Sequence, residues 1–252
     1  MSSAEASSPP PPDVLPFAGH AVEYVGLLGA LGSFVVRRVG RLAPRISWAA
    51  PPMHDFLFAA WVGGLILFIG VHTWLVALRI AAEVLAWVLC LRGTRFVAPP
   101  AVFAAAIMPL ASHAAAVQPV ATGAEFADAV HVLSAAMWAG GILALASLRP
   151  PEGWRGEEAR VLLERFGRVA VIAFGVTALT GLLSATEHLN ELSDLWSTTY
   201  GVVLVLKVGG VALMLGLSAL WRRGRGSAAA EALVAILVVS ATAALAVLPP
   251  PA

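Results

Sequence analysis

The sequence predicts an all-α fold: a polytopic bundle of about eight transmembrane helices, with both chain termini on the extracytoplasmic side. Three observations carry this reading. Of 252 residues, 59% are hydrophobic and 12% charged, against roughly 45–50% and about 25% in ordinary soluble domains. The apolar residues fall in consecutive runs close to the roughly 20 residues a helix needs to cross about 30 Å of hydrocarbon, where lipid offers the backbone no hydrogen-bond partner. The charges, finally, are sorted by loop in a way that fixes an orientation.

Residues 1–16 (MSSAEASSPPPPDVLP) are rich in Ser and Pro and lack both a basic n-region and an apolar h-region. They are expected to form a disordered tail rather than a signal peptide, which leaves 17–252 as the transmembrane domain. The apolar runs lie at 19–36, 56–73, 75–91, 99–118, 126–148, 166–187, 199–221 and 229–248. The stretch from Asp55 to Arg92 is long for one span and tight for two, and His72-Thr73-Trp74 is the expected turn within it. Splitting it there keeps the basic loops on one face of the membrane.

With eight spans, four loops share a side. They carry Arg37, Arg38, Arg41 and Arg45; Arg92 and Arg95; Arg149, Arg155, Arg160, Arg165 and Arg168; and Arg222, Arg223 and Arg225, fourteen of the 16 basic residues. The positive-inside rule makes that side cytoplasmic. Only Arg79 and Lys207 fall elsewhere. The opposite side holds Glu5, Asp13, Glu125, Asp128, Glu187, Glu191 and Asp194 with almost no base to balance them. Such a surface attracts cations.

Five of the six histidines sit at that acidic side: His20, His72, His113, His131 and His188, with His54 at the other. Neutral imidazole is the commonest transition-metal ligand and suits copper, zinc, iron and nickel. His113 and His131 are joined by a short connection and are expected to share one metal site. Glu187 or His188 would supply a third ligand, and Met137 a softer alternative. Met108 and Met137 otherwise read as core filler, because neither shares a helix face with its neighbouring histidine.

Glu23, Glu83, Lys207 and Glu231 fall inside spans, where a charge is expensive, so each is either functional or paired to hold the bundle together. Glu23 lies three residues after His20, and Lys207 shares a face with Tyr200 and Met214. Lys207 is expected near an acid, with Glu231 and Glu23 as the candidates. Gly63-Gly64, Gly140-Gly141 and Gly209-Gly210 permit close helix contact. The lone Cys90 excludes an intrachain disulfide and any paired-cysteine metal motif.

The segment SHAAAVQPVATGAEFADAVHVLSAAMWAGGILAL (112–145) resembles the copper resistance protein D (CopD) family in its Ser-His-Ala, later His and Trp-x-Gly-Gly order. RFGRVAVIAFGVTALTGLLSA (165–185), TTYGVVLVLK (198–207) and the Glu231 span closing on Pro249-Pro250 look like the family's remaining blocks. The resemblance covers about 99–252. It implies a multi-pass protein of the bacterial inner membrane that takes copper from the periplasm towards the cytoplasm, beside a separate periplasmic copper-binding partner. It implicates His113, His131, Trp138, Thr199, Tyr200, Gly201, Lys207 and Glu231.

No phosphate-cradling Gly-Lys-Ser/Thr run is present, so ATP coupling in this chain is not expected, and no nucleic acid partner is expected either. No Ser-His-Asp arrangement or metalloprotease motif points to an enzyme. Two other readings remain at this stage. One is a b-type haem protein, with His113 or His131 paired with His72 or His188 as axial ligands. The other is a non-catalytic membrane subunit of a larger assembly.

Overall fold

A computed structural model of the chain describes residues 14–111, 122–188, 191, 193–223 and 227–248, and the regular elements among them are all helical. In order they are α1 (Val14–Gly40), α2 (Met53–Gly70), α3 (Trp74–Leu91), α4 (Ala98–Ala106), α5 (Thr122–Ala146), α6 (Glu157–His188), α7 (Asp194–Ser197), α8 (Thr199–Arg222) and α9 (Ala228–Val247). Short 3-10 turns at Arg95–Val97 and Pro109–Ala111 flank α4. The N-terminal tail up to Asp13 lies outside the described residues.

Seven of these helices, α1, α2, α3, α5, α6, α8 and α9, are long and apolar enough to span a membrane. The break expected between α2 and α3 is present: Thr73 caps α3, its Oγ1 accepting from the Val76 amide at 3.3 Å. The run at 99–118 differs from expectation. It begins as α4, with Pro in its first turn where a missing N–H is harmless. It stops at Ala106, before Pro109, whose ring and absent N–H do not support a continuing helix. Residues 112–121, the rest of that run, lie outside the described residues.

Helix α1 is the hub, packing against α2, α4, α5, α6 and α9. Two contacts set how closely it does so. A Cβ on Gly140 would lie 2.0 Å from the Leu28 carbonyl oxygen, so α1 and α5 cross backbone to backbone. On the other side, a Cβ on Gly63 would lie 2.3 Å from the Glu23 amide, which fixes the α1/α2 register. Small residues at such crossings let helices gain packing that lipid alone would not drive.

Two apolar cores meet on α1. One joins it to α2, α3 and α4 around Leu27, Leu57, Ala86 and Met108. The other joins its C-terminal half to α5, α6, α8 and α9 around Val36, Leu145, Leu162 and Met214. Helices α6 and α8 turn Ile172 and Leu206 outwards, 72% and 67% exposed, as lipid-facing side chains would be.

The two ends of the bundle differ. At the arginine-rich end, the Arg165 guanidinium donates to the carbonyls of Val39, Leu42, Ala43 and Pro44 at 2.9–3.2 Å, satisfying the loop after α1. Trp48, Trp154 and Trp221 stack edge to face there, as aromatic side chains do at a membrane interface. The other end, where α1, α3, α5 and α8 begin and α2 and α6 finish, carries the acids and is called the acidic end below.

Candidate functional site

The polar residues inside the bundle form three groups. The first lies on the seam of α5, α6 and α8, two to three turns below the acidic end. His131 is nine residues into α5, Thr180 eight from the end of α6 and Lys207 eight into α8, a common depth of about 12–14 Å at 1.5 Å rise per residue.

His131 is partly buried, and its Nδ1 lies 3.1 Å from Thr180 Oγ1. The Thr180 hydroxyl donates to the carbonyl of Val176, at 2.8 Å. Its one hydrogen is therefore committed, and it accepts from His131, which places the imidazole proton on Nδ1. In that tautomer Nε2 carries the ring's basic lone pair. A ligating histidine is commonly oriented in this way, with the second ring nitrogen held by a protein group.

Around it, Ser184 donates to Asp128 Oδ1 at 2.7 Å. Asp128 interacts electrostatically with Lys207 and with Tyr200, and Lys207 in turn with His131. The acid acting on Lys207 is thus Asp128. The two candidates named from sequence are held elsewhere, Glu23 by Arg79 and Glu231 by Ser218. Deeper in the seam, Trp138 Nε1 donates to Thr177 Oγ1 at 3.1 Å, and Thr177 bonds Ser134 at 2.8 Å. Trp138 is thereby fixed edge to face against Phe174.

The second group is near the arginine-rich end. Glu231, 1% exposed, accepts from the Ser218 hydroxyl. It lines a mostly apolar cavity of about 110 Å³ with Trp138, Phe166, Phe174 and Trp221. Trp138 touches both groups, so the polar seam continues from Asp128 and His131 to Glu231.

The third group, Glu23, Arg79 and Glu83 on α1 and α3, is fully buried. Arg79 Nη2 donates to Glu23 Oε2 at 2.8 Å, and its Nε lies 2.5 Å from Oε1.

The remaining residues named from sequence are distributed as follows. His113 lies outside the described residues. Glu187 and His188 form the end of α6, at the acidic end, with their side chains outside the described part. Met137 is 39% exposed. Six residues on a helix place it about 120° round from His131. Thr199 is exposed and Tyr200 half-buried. Gly201 is needed where α7 folds back onto α8: a Cβ there would lie 2.0 Å from the Asp194 carbonyl oxygen. His72 is exposed, against Phe68 in the α2/α3 turn. Among the described residues, no three His, Cys, Asp or Glu side chains converge as a metal-holding set.

Sequence reasoning missed Thr180, Thr177, Ser184, Ser134 and Ser218 as partners, and Arg79 as the base for Glu23. Spacing held the signal. Asp128, His131, Ser134 and Trp138 follow at three- and four-residue steps on α5, as do Thr177, Thr180 and Ser184 on α6, each marking one helix face.

Residues 160–246, from the first turns of α6 almost to the end of α9, match the family model for CopD, copper resistance protein D. A copper transport protein of Bacillus subtilis (strain 168), CutJ, is 36% identical over 96 residues, which is 37% of this chain and 18% of that protein. The chain therefore spans less than a fifth of the relative's length. No solved structure matches it. Residues 160–246 are thus similar to the copper resistance protein D family, and the seven long apolar helices fit a multi-pass protein of the bacterial inner membrane.

Proposed function

We propose that this CopD-family membrane protein handles copper by conducting the ion along the α5/α6/α8 seam, from the acidic end towards the arginine-rich end. The observation that carries the reading is the His131–Thr180 hydrogen bond, which commits Nδ1 and presents Nε2 as a ligand nitrogen inside an apolar bundle. Copper is the cargo, taken up by imidazole and passed inward along a seam that is polar at His131, lined by the fixed Trp138 in the middle, and polar again at Glu231. One imidazole binds weakly, so His113, Glu187 and His188, which the sequence places at the acidic end, are assigned to the entrance above His131, where they hand the ion down to it.

The orientation follows from the arginines. With the arginine-rich end in the cytoplasm, the acidic end faces the periplasm and concentrates cations there. Transport then runs inward, both termini are extracytoplasmic, and a separate periplasmic copper-binding protein delivers the ion. Membrane potential supplies about 2.3 kcal/mol per charge per 100 mV for inward cation movement, so neither nucleotide nor a catalytic step is required.

Copper accumulation by cells or proteoliposomes containing the full chain tests this. His131→Ala is expected to lower uptake at least tenfold at unchanged protein level in the membrane. Parent-like uptake by that variant would remove His131 from the path and the reading with it.

A further inference from the structure

The Glu23, Arg79 and Glu83 group lies on α1 and α3, outside the segment that matches the family model, and the copper reading leaves it unused. Its composition is unbalanced, with two carboxyls and one guanidinium, all three side chains at 0% exposure. Arg79 is paired with Glu23 by one hydrogen bond, Nη2 to Oε2 at 2.8 Å, and a close charge contact, Nε to Oε1 at 2.5 Å, while its Nη1 has no hydrogen-bond partner among the described residues. One guanidinium thus stands against two carboxyls.

Glu83, one turn after Arg79 on α3, is the remainder. Both of its carboxyl oxygens are buried, and no N–H or O–H donor among the described residues reaches them. What lies beside them is the Glu23 carboxyl, the two acids flanking Gly64 together. Two carboxylates have no hydrogen to share, so a hydrogen bond between such neighbours requires a proton on one. Like acids sharing a dry site hold a single proton for the same electrostatic reason. The backbone keeps them together: a Cβ on Gly64 would sit 3.2 Å from Glu83 Oε2 and 3.4 Å from Glu23 Oε1, so glycine there leaves room for both.

We propose that Glu23 and Glu83, braced by Arg79, form an intramembrane proton-binding site that takes up and releases one proton per chain. With the proton bound, the group is one carboxylate, one guanidinium and one neutral carboxylic acid, with no net charge. Release to water leaves a second carboxylate and a net negative charge at the junction of α1, α2 and α3.

A purely structural pair needs only Glu23 and Arg79; Glu83 adds an acid with no donor, which stabilises nothing unless it is protonated. The groups facing the site are few. From α1 come His20, one turn nearer the acidic end, and Tyr24, which stacks on it at 5.5 Å and interacts with Arg79 and Glu23. Asp128 of α5 acts on Tyr24. Helix α2 faces the site with Gly63 and Gly64, its own His54 and Asp55 being exposed at the other end; α4 has no ionisable residue; and the Glu231 of α9 is held by Ser218. His20 and Tyr24 therefore mark the route to the acidic end.

The site stands independently of copper, and so does its test. Infrared difference spectra of the full chain in lipid nanodiscs, recorded across a pH titration without metal, read the stretching band of a protonated carboxyl. The parent is expected to show one such band that disappears on alkalinisation, with release of one proton per chain. Glu83→Gln should abolish both signals. Glu23→Gln should do so as well, since one acid left beside one base forms a simple ion pair that holds no proton. A parent with no titrating band, or a band that survives in both variants, would overturn the proposal. Because the two variants are read separately, misfolding of one leaves the other decisive.

Discussion

Removing Arg79 is the most severe single change the structure identifies. Its guanidinium is fully buried and grips both oxygens of Glu23, so Arg79→Leu leaves two acids in hydrocarbon with no base. Breaking a buried pair by deleting one partner costs about 3–5 kcal/mol, a factor of roughly 10² to 10³ or more in the folded fraction. Replacing both members by apolar groups is far milder, so Arg79→Leu combined with Glu23→Leu is expected to recover about 1–3 kcal/mol relative to the sum of the single variants. The assay is unfolding of the purified chain in mixed micelles, followed by the fluorescence of its eight tryptophans. If Arg79→Leu falls within about 1 kcal/mol of the parent, or the double variant is simply additive, the buried pair does not hold the α1/α3 junction.

Three further outcomes follow from the same geometry. Gly140→Ala should destabilise the bundle by about 1–3 kcal/mol, because the added Cβ would meet the Leu28 carbonyl at 2.0 Å, whereas Gly209→Ala meets nothing within 4 Å and should be neutral or stabilising by about 0.5–1 kcal/mol; the same unfolding assay separates them. Thr180→Val removes the acceptor that fixes the His131 tautomer and should weaken copper binding by roughly 10- to 100-fold, read by competition with a colorimetric chelator, while thermal stability changes little. Reporter fusions in the loops at 41–52 and 147–156 should be active only in the cytoplasm, with a fusion after residue 248 active only outside it; the reverse pattern would invert the direction of transport.

The fold was largely legible because membrane helices are written in composition. Apolar runs of about 20 residues have one stable form in lipid, and the seven long helices fall on seven of the expected runs. Within the run at 99–118 the described α-helix ends at Ala106, ahead of Pro109, a break that a hydropathy window averages over. Glu23, Glu83, Lys207 and Glu231 could be singled out as charges within spans, since the cost of burial depends only on the residue and its depth. Their partners could not be assigned, because pairing depends on which helix faces meet. Asp128 on α5 reaches Lys207 on α8, and Arg79 on α3 reaches Glu23 on α1, only through side chains that the packed bundle brings together. The role of Thr180 is invisible in sequence for another reason. A threonine inside an apolar helix ordinarily bonds its own backbone, as this one does, and its second contact to His131 exists only in the packed bundle.

The central claim, that His131 presents Nε2 to copper, is tested most directly by metal analysis and absorption spectroscopy of the full chain purified from copper-supplemented cells without chelator. The account predicts copper bound in a fixed ratio to protein, no Soret band, and loss of most of that copper in His131→Ala with retention in Met137→Leu. A Soret band that vanishes in His131→Ala, or copper content unchanged by that substitution, would contradict it.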